Sequence, residues 1–137
     1  MTRREERIIA LSMLFEWGFD PARSAEEIYE TAATSRDMEE SSYALSVLSG
    51  VIENKASLDR MIEEHLKGWK RNRISRVSMA IIYMAAYEIA YVEEVPARVS
   101  MNEAIELAKL YDTDNAYSFV NGVLHALSES LQLQSNE

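Results

Sequence analysis

The chain has 137 residues, of which 47% are hydrophobic and 27% are charged, and its formal net charge is −9. This length and composition predict one globular domain and exclude an intrinsically disordered chain. Four glycines and two prolines are too few for the many turns of a β-sandwich or barrel, so helices are favoured. With no cysteine, the sequence excludes disulfides, thiolate metal sites and cysteine nucleophiles. The acidic balance argues against an indiscriminate binder of polyanions.

The N-terminus carries three arginines, Arg3, Arg4 and Arg7, before an apolar run over residues 8–15. A secretory signal has a similar layout, but acidic residues interrupt the arginines and no small-residue cleavage site follows. The segment therefore predicts an amphipathic first helix. The most apolar stretch, residues 77–92, is shorter than the roughly 20 residues of a membrane span. We expect a soluble, cytoplasmic protein that binds no membrane.

Helix starts are indicated by Ser, Thr or Asp followed three residues later by Glu, which is the spacing of a capping box. This pattern begins at Thr2, Ser24, Asp37 and Ser100. Apolar residues recur at helical spacing behind the first two positions. They predict a first helix that ends before Pro21 and a second over about residues 25–33.

A long apolar pattern runs from about residue 38 to residue 69, with a break near Asn54. Gly68 and the polar residues 70–73 predict a loop. The most apolar helix begins at Ser75, and because it is apolar on nearly every side we expect it to be the central helix.

Pro96 ends the central helix, and two further helices are predicted around residues 104–111 and 116–131. The tail over residues 132–137 is expected to fray. No alternating strand pattern occurs. The sequence therefore predicts an all-α single domain over residues 1–131, a bundle of about six or seven helices.

The sequence contains no convincing catalytic or metal-binding constellation. His65 and His125 lack the helically spaced partners that a metal site in a helix bundle needs. Glu103 and Glu106 lie one turn apart, but the expected cap at Ser100 already employs Glu103. There is no glycine-rich phosphate loop. We expect no enzyme activity, no metal and no cofactor.

Charge is distributed unevenly along the chain. Residues 1–19, 20–64, 65–87 and 88–137 carry net charges of 0, −7, +5 and −7. The positive segment contains no acid, and its bases form what we call the basic belt: Lys67, Lys70, Arg71, Arg73 and Arg76. One interpretation is a solvated loop beside ordinary helix-start arginines. The other is a limited anion-binding face for RNA, flanked by acidic surface that suppresses non-specific contact.

Four blocks in the second half of the chain carry a specific resemblance. They are AAYEI at residues 85–89, Val95-Pro96, NEAIELAK at residues 102–109 and FVNGVL at residues 119–124. In this order and separation they strongly resemble the NusB family of bacterial transcription antitermination factors. The similarity covers nearly the whole chain. A stand-alone chain of this length fits that family better than it fits the related domain that is fused to ribosomal RNA cytosine methyltransferases.

The resemblance implies an all-helical fold of two subbundles. It also implies that the protein pairs with NusE, a small-subunit ribosomal protein, and that the pair binds the boxA element of nascent ribosomal RNA leader transcripts. Together with other Nus factors, such a complex makes RNA polymerase resist termination. The implied mechanism is recognition and scaffolding rather than catalysis.

The resemblance implies RNA contacts at Arg3, Arg4 and Arg7 in the N-terminus and at Asn115 and Phe119 at the start of the last helix. Arginines can neutralise phosphates and amides can read base edges. An exposed aromatic ring can stack on a base for about 1–3 kcal/mol. The alternative role for Phe119 is packing in the core.

The resemblance also implies a partner face at Phe15, Ser78, Met79 and Tyr83. Family members often carry basic or charged residues at the last three positions, so an interface of this chain with NusE is expected to be more apolar. An exposed apolar patch there would alternatively support self-association as a homodimer.

Some residues of this chain depart from the family pattern. Glu5 and Glu6 interrupt the arginine run, and Ser118 stands where the family often has a basic residue. These departures weaken the electrostatic attraction for RNA, so we expect binding to depend on NusE. They leave open an alternative, a helical protein–protein adaptor with little RNA affinity of its own. Whether the basic belt contacts RNA is not decided by the sequence.

Overall fold

The computed structural model describes residues 1–66, 68–113 and 115–135. Over these residues it contains no strand, which confirms the all-α prediction. A short 3₁₀ segment spans Arg71–Arg73. The α-helices, in chain order, are α1 (Arg3–Phe19), α2 (Ala25–Ser35), α3 (Ser42–Glu53), α4 (Lys55–Glu63), α5 (Arg76–Tyr91), α6 (Ala97–Tyr111) and α7 (Ala116–Ser135).

Three helix starts are capped where the sequence predicts. The Thr2 hydroxyl accepts a hydrogen bond from the backbone N–H of Glu5, and the Ser24 hydroxyl accepts one from Glu27, both at 3.1 Å. Ser75 caps α5 in the same way, at 2.9 Å. Each cap satisfies a backbone donor that has no partner within its helix.

Two other predicted starts are wrong. Ser41, rather than Asp37, caps α3 by accepting from the backbone N–H of Ala44 at 3.0 Å. Ser100 lies inside α6, where its hydroxyl donates to the carboxylate of Glu88 at 2.9 Å. The capping-box spacing is a local signal, and here a buried acceptor from another helix takes the serine hydroxyl.

The predicted break near Asn54 is confirmed, because this residue separates α3 from α4. At the other end of the chain, α7 continues through Ser135. The helix thus includes residues 132–135, over which fraying was expected. Residues 136 and 137 lie outside the described residues.

Helix α5 is central, as predicted, because it packs against α1, α3, α4, α6 and α7. On one side of it, α1, α2 and α3 pack against one another. On the other side, α6 packs against α7, and α4 also touches α7. Each of the seven helices contributes to the largest fully buried side chains, which are Met13, Leu14, Ile28, Leu48, Leu58, Ile62, Ile81, Ile82, Met84, Leu107, Leu124 and Leu127.

Gly50 on α3 lies against the ring of Tyr87 on α5, and this contact gives a first prediction. A Cβ atom at Gly50 would overlap the ring of Tyr87. We expect Gly50→Ala to lower the free energy of unfolding by about 1–3 kcal/mol, because the ring must move to admit the methyl group. Urea denaturation would measure the change.

Gly122 in α7 provides the control. A Cβ atom there would meet no atom within 4 Å, so Gly122→Ala is expected to raise the stability by up to about 1 kcal/mol through helix propensity alone. Equal effects of the two substitutions would contradict the tight contact between Gly50 and Tyr87.

Candidate nucleic-acid interface

The exposed arginines at the start of α1 are held by acidic neighbours. Arg4 makes a two-pronged ion pair with Glu103 on α6, with distances of 2.9 Å from Nε to Oε2 and 3.2 Å from Nη2 to Oε1. The Arg3 Nη1 lies 3.3 Å from Glu6 Oε1, and its guanidinium carbon lies 3.7 Å from the ring centroid of Tyr43. Both arginine side chains stay about half exposed, at 51% and 52%. They can reach a phosphate only in competition with these carboxylates.

Arg7 is placed inside the bundle, which differs from the surface position that a direct RNA contact requires. Its side chain is 4% exposed, and its Nε lies 2.9 Å from Oε2 of Glu88, which is 1% exposed. The Ser100 and Tyr43 hydroxyls donate to the same carboxylate. Burial and this hydrogen bond to Glu88 raise the pKa of Tyr43, so its phenol remains a neutral donor. We call these four side chains the Glu88 cluster.

The start of α7 forms an aromatic groove with the loop that contains Trp69. The rings of Trp69 and Phe119 lie 4.8 Å apart, centroid to centroid, with an angle of 55° between their planes. Phe119 is partly buried, whereas Trp69 is 57% exposed. Asn115 is exposed on the same groove, whose volume is about 620 Å³. The groove therefore brings together two of the predicted residues, an amide and an aromatic ring.

Trp69 and Tyr117 also line this groove, although their place there does not follow from the sequence. Trp69 was interpreted as the end of an apolar helical pattern, but α4 ends at Glu63 and leaves the ring at the surface. The sequence does carry one signal of an exposed Trp69, because this residue follows Gly68 and precedes the polar residues 70–73. Tyr117 is 40% exposed, and the Lys109 ammonium lies 5.2 Å from its ring centroid.

The basic belt does not join the N-terminal arginines. Arg76 donates to the carbonyl of Gly18 at 2.9 Å, close to the end of α1. Arg3 lies at the opposite end of that helix, about 20 Å away at 1.5 Å per residue. The two basic regions are thus separate surfaces. Lys67, which the sequence assigns to the belt, lies outside the described residues.

The four predicted partner residues occupy three different environments. Phe15 is partly buried and lines an apolar groove of about 460 Å³ with Val77 and Tyr111. Ser78 is 3% exposed and donates its hydroxyl to the carboxylate of Asp112, so its side chain faces inward. The remaining two, Met79 and Tyr83, line a separate cleft.

Tyr83 is only 6% exposed, and its hydroxyl donates a hydrogen bond to the carboxylate of Asp59. Arg71 and Lys55 approach the same carboxylate at 3.1 and 2.7 Å. Burial raises the pKa of Asp59, but the hydrogen bonds from Lys55 and Tyr83 and the charge of Arg71 hold it below its usual value. The ionised carboxylate therefore stabilises the fold above the ordinary pKa of aspartate, and this stabilisation is lost as the pH falls through the lowered value.

Within residues 1–66, 68–113 and 115–135, no group of three or more His, Asp or Glu side chains could hold a metal ion. No helix in the described part of the chain is long and apolar enough to cross a bilayer.

The fold and these surfaces define an all-helical binding protein, with half-exposed arginines at one site and an aromatic groove at another. The chain belongs to the NusB family: the sequence model of that family matches residues 4–129. This is a family of transcription antitermination factors and not of enzymes.

Individual relatives agree with this membership. A protein named transcription antitermination protein NusB from Clostridium novyi (strain NT) is 39% identical over 127 residues, which cover 90% of this chain and 96% of that protein. The solved structure of T. maritima NusB has a TM-score of 0.81 and 30% identity, and covers 94% of this chain and 92% of its own. A structure of the antitermination factors NusB and NusE in complex with double-stranded RNA contains a chain with the same fold, at a TM-score of 0.81, 20% identity and coverage of 93% and 96%.

The burial of Arg7 gives a second prediction. Arg7→Ala leaves the Glu88 carboxylate buried without its cation, so the free energy of unfolding should fall by about 3–5 kcal/mol. Arg3→Ala removes a half-exposed arginine one turn away, and its effect should stay below about 1 kcal/mol. Thermal and urea denaturation of both variants would measure the difference. A stable Arg7→Ala protein that has lost only RNA affinity would contradict the structural role.

Proposed function

We propose that this protein acts in transcription antitermination by binding the boxA element of nascent ribosomal RNA leader transcripts together with NusE. The observation that carries the proposal is the aromatic groove at the start of α7, where Trp69, Phe119 and Asn115 share one surface. Membership of the NusB family supports it. In this proposal the protein works in the cytoplasm. Other Nus factors and RNA polymerase are engaged indirectly, through the assembled complex.

The groove suits an unpaired stretch of RNA. An exposed indole next to a phenyl ring offers a stacking surface for bases, and every base has a face that can use it. The Asn115 amide can donate to and accept from a base edge, which is the chemistry that sequence reading needs. Arg3 and Arg4 supply phosphate contacts from a second surface, at the start of α1. Arg7 has a structural role instead, because its ion pair with the buried Glu88 fixes α1 against α5.

The NusE face is proposed at the groove that contains Phe15. Its apolar lining fits the expectation of a less charged interface than in other family members. Met79 contributes from the neighbouring cleft, whereas Ser78 and Tyr83 shape the surface from inside through their bonds to Asp112 and Asp59. A homodimer through the same apolar groove is the competing assembly, and size-exclusion chromatography of the free chain with and without NusE distinguishes the two.

A second candidate function is a protein–protein adaptor with little RNA affinity of its own. The observation that favours it is the pairing of all three N-terminal arginines with carboxylates. A pull-down that recovers NusE while direct RNA crosslinking stays empty would favour the adaptor over the RNA-binding function.

The direct experiment is a titration of labelled boxA RNA, and of scrambled RNA of equal length, with the protein alone and with NusE. We expect boxA RNA to bind more tightly than the scrambled RNA, and NusE to strengthen this binding. Equal affinity for the two RNAs in the presence of NusE would contradict sequence-specific recognition.

The groove gives a third prediction. Phe119→Ala should weaken RNA binding by about 5- to 150-fold, the equivalent of about 1–3 kcal/mol for one stacked base. Tyr91→Ala is the control, because Tyr91 is a 42% exposed aromatic residue at the end of α5 that lines neither groove, and it should leave RNA affinity unchanged. If Phe119→Ala instead lowers the melting temperature sharply and the folded molecules keep their RNA affinity, Phe119 packs in the core and the predicted RNA contact is wrong.

The ion pair of Arg4 gives a fourth prediction. Glu103→Gln removes the carboxylate that competes with phosphate, so RNA affinity should rise severalfold. The slope of log affinity against log salt should also steepen by about 0.7, the contribution of one further phosphate contact on a single strand. Glu129→Gln makes the same change in net charge at an exposed position on α7 and should have little effect. Similar gains in both variants would indicate net charge rather than release of Arg4.

A further inference from the structure

A cleft of about 650 Å³ opens beside the last turns of α1 and the first turns of α5. Its apolar lining consists of Leu14, Trp17, Pro21, Ile74, Met79 and Ala80, of which the buried Leu14, Trp17 and Ala80 form the floor. The volume lies in the range of about 300–1,000 Å³ that is typical of small-molecule sites. None of the residues that line the aromatic groove of α7 lines this cleft.

The rim of the cleft is positively charged. Lys55, Arg71, Arg73 and Arg76 line it, and no acidic residue does. Asp59 and Glu63 neutralise part of this charge from behind, because Lys55 and Arg71 are paired with them.

In the described part of the chain, two of the rim arginines are not neutralised by a carboxylate. Arg73 is exposed and has no carboxylate partner in the part of the chain that the structure describes. Among the described residues, Arg76 binds a backbone carbonyl and the face of Phe19, whose ring centroid lies 4.2 Å from its guanidinium carbon, and no carboxylate. The rim therefore has an excess of positive charge directed at one cavity, and its chemical complement is an anion.

We propose that this cleft binds a nucleoside monophosphate unit, with the phosphate on Arg73 and Arg76 and the base over the apolar floor. Guanidinium groups pair with phosphate oxygens in a two-pronged geometry and also stack on planar rings, so they match both halves of such a ligand. A lone phosphate would leave the floor without a partner. The unit comes either from a free nucleotide or from one position of an RNA strand, and both present the same chemistry.

Met79 and Tyr83 belong both to the cleft and to the proposed NusE face, but no other residue that lines the cleft lines the NusE groove or the aromatic groove. Along α1 the NusE groove uses Ile8, Leu11 and Phe15, whereas the cleft uses Leu14 and Trp17. At 100° per residue these two sets lie on different sides of the helix. The N-terminal arginines lie about 20 Å away at the other end of α1. The cleft can therefore bind or fail to bind whatever the outcome for boxA.

The two tryptophans of the chain report on the two sites independently. Trp17 lines the cleft and is 3% exposed, and its indole N–H has no hydrogen-bond partner among the described residues. Trp69 lies in the aromatic groove of α7. The indole N–H resonances in a ¹⁵N–¹H correlation spectrum thus distinguish the sites, and a Trp69→Phe variant assigns them.

The experiment titrates the whole chain with UMP, AMP, inorganic phosphate, single-stranded RNA and an acidic peptide. We expect UMP or AMP to shift the Trp17 resonance saturably. Binding should weaken about tenfold or more in the Arg73→Gln, Arg76→Gln double variant, which loses two charge-assisted contacts. Arg98→Gln, an exposed arginine at the start of α6 that does not line the cleft, should bind like the unchanged protein.

Each other outcome is decisive. A Trp17 shift that requires the RNA strand and depends on Arg73 and Arg76 supports the site and identifies RNA as the source of the nucleotide. An equal shift with inorganic phosphate overturns the role of the nucleoside, and a shift with the acidic peptide alone overturns the ligand class. No shift of Trp17 with any phosphate ligand overturns the site. A shift of Trp69 alone with RNA would then leave the proposed function standing.

Discussion

The buried carboxylate of Glu88 constrains much of the bundle. It lies on α5 and receives hydrogen bonds from Arg7 on α1, Tyr43 on α3 and Ser100 on α6. An ionised group that is 1% exposed would be strongly destabilising without these partners, so four helices must keep their relative positions. Because α1 is held in this way, its exposed Arg4 comes to lie against Glu103 of α6.

This constraint changes the meaning of the arginine-rich N-terminus. Arg7 is buried and paired with Glu88. Arg3 and Arg4 are half exposed and paired with Glu6 and Glu103. Little of their charge is left to attract RNA from a distance. We therefore propose that the aromatic groove at α7, which needs no net charge to stack a base, is the main source of recognition. An overall charge of −9 is then compatible with binding one RNA with the help of a partner.

Much of the fold could be predicted because its signals are local. The caps at Thr2, Ser24 and Ser75 and the break at Asn54 depend on residues within one turn, and the apolar character of α5 predicts its central place. The sites were harder to predict because they depend on distant partners. Arg7 and Ser100 meet at a carboxylate that no local spacing connects to both of them.

The predicted partner residues illustrate the same limit. Ser78 and Tyr83 have the polarity of surface residues, but Asp112 and Asp59 satisfy their hydroxyls inside the molecule. Trp69 shows the opposite case. The sequence places it at the end of an apolar helical pattern, but α4 ends at Glu63 and Trp69 lies at the surface. In each case the side chain's environment is set by an element that is remote in sequence or by where a helix stops.

We propose that stacking and base reading, rather than free positive charge, carry RNA recognition by this chain. The decisive measurement is the slope of log affinity against log salt concentration for the unpartnered protein with boxA RNA. Because each phosphate contact on a single strand contributes about −0.7, we expect a slope no steeper than about −2, or about three contacts. A slope of about −4 or steeper, which corresponds to about six contacts, would contradict it.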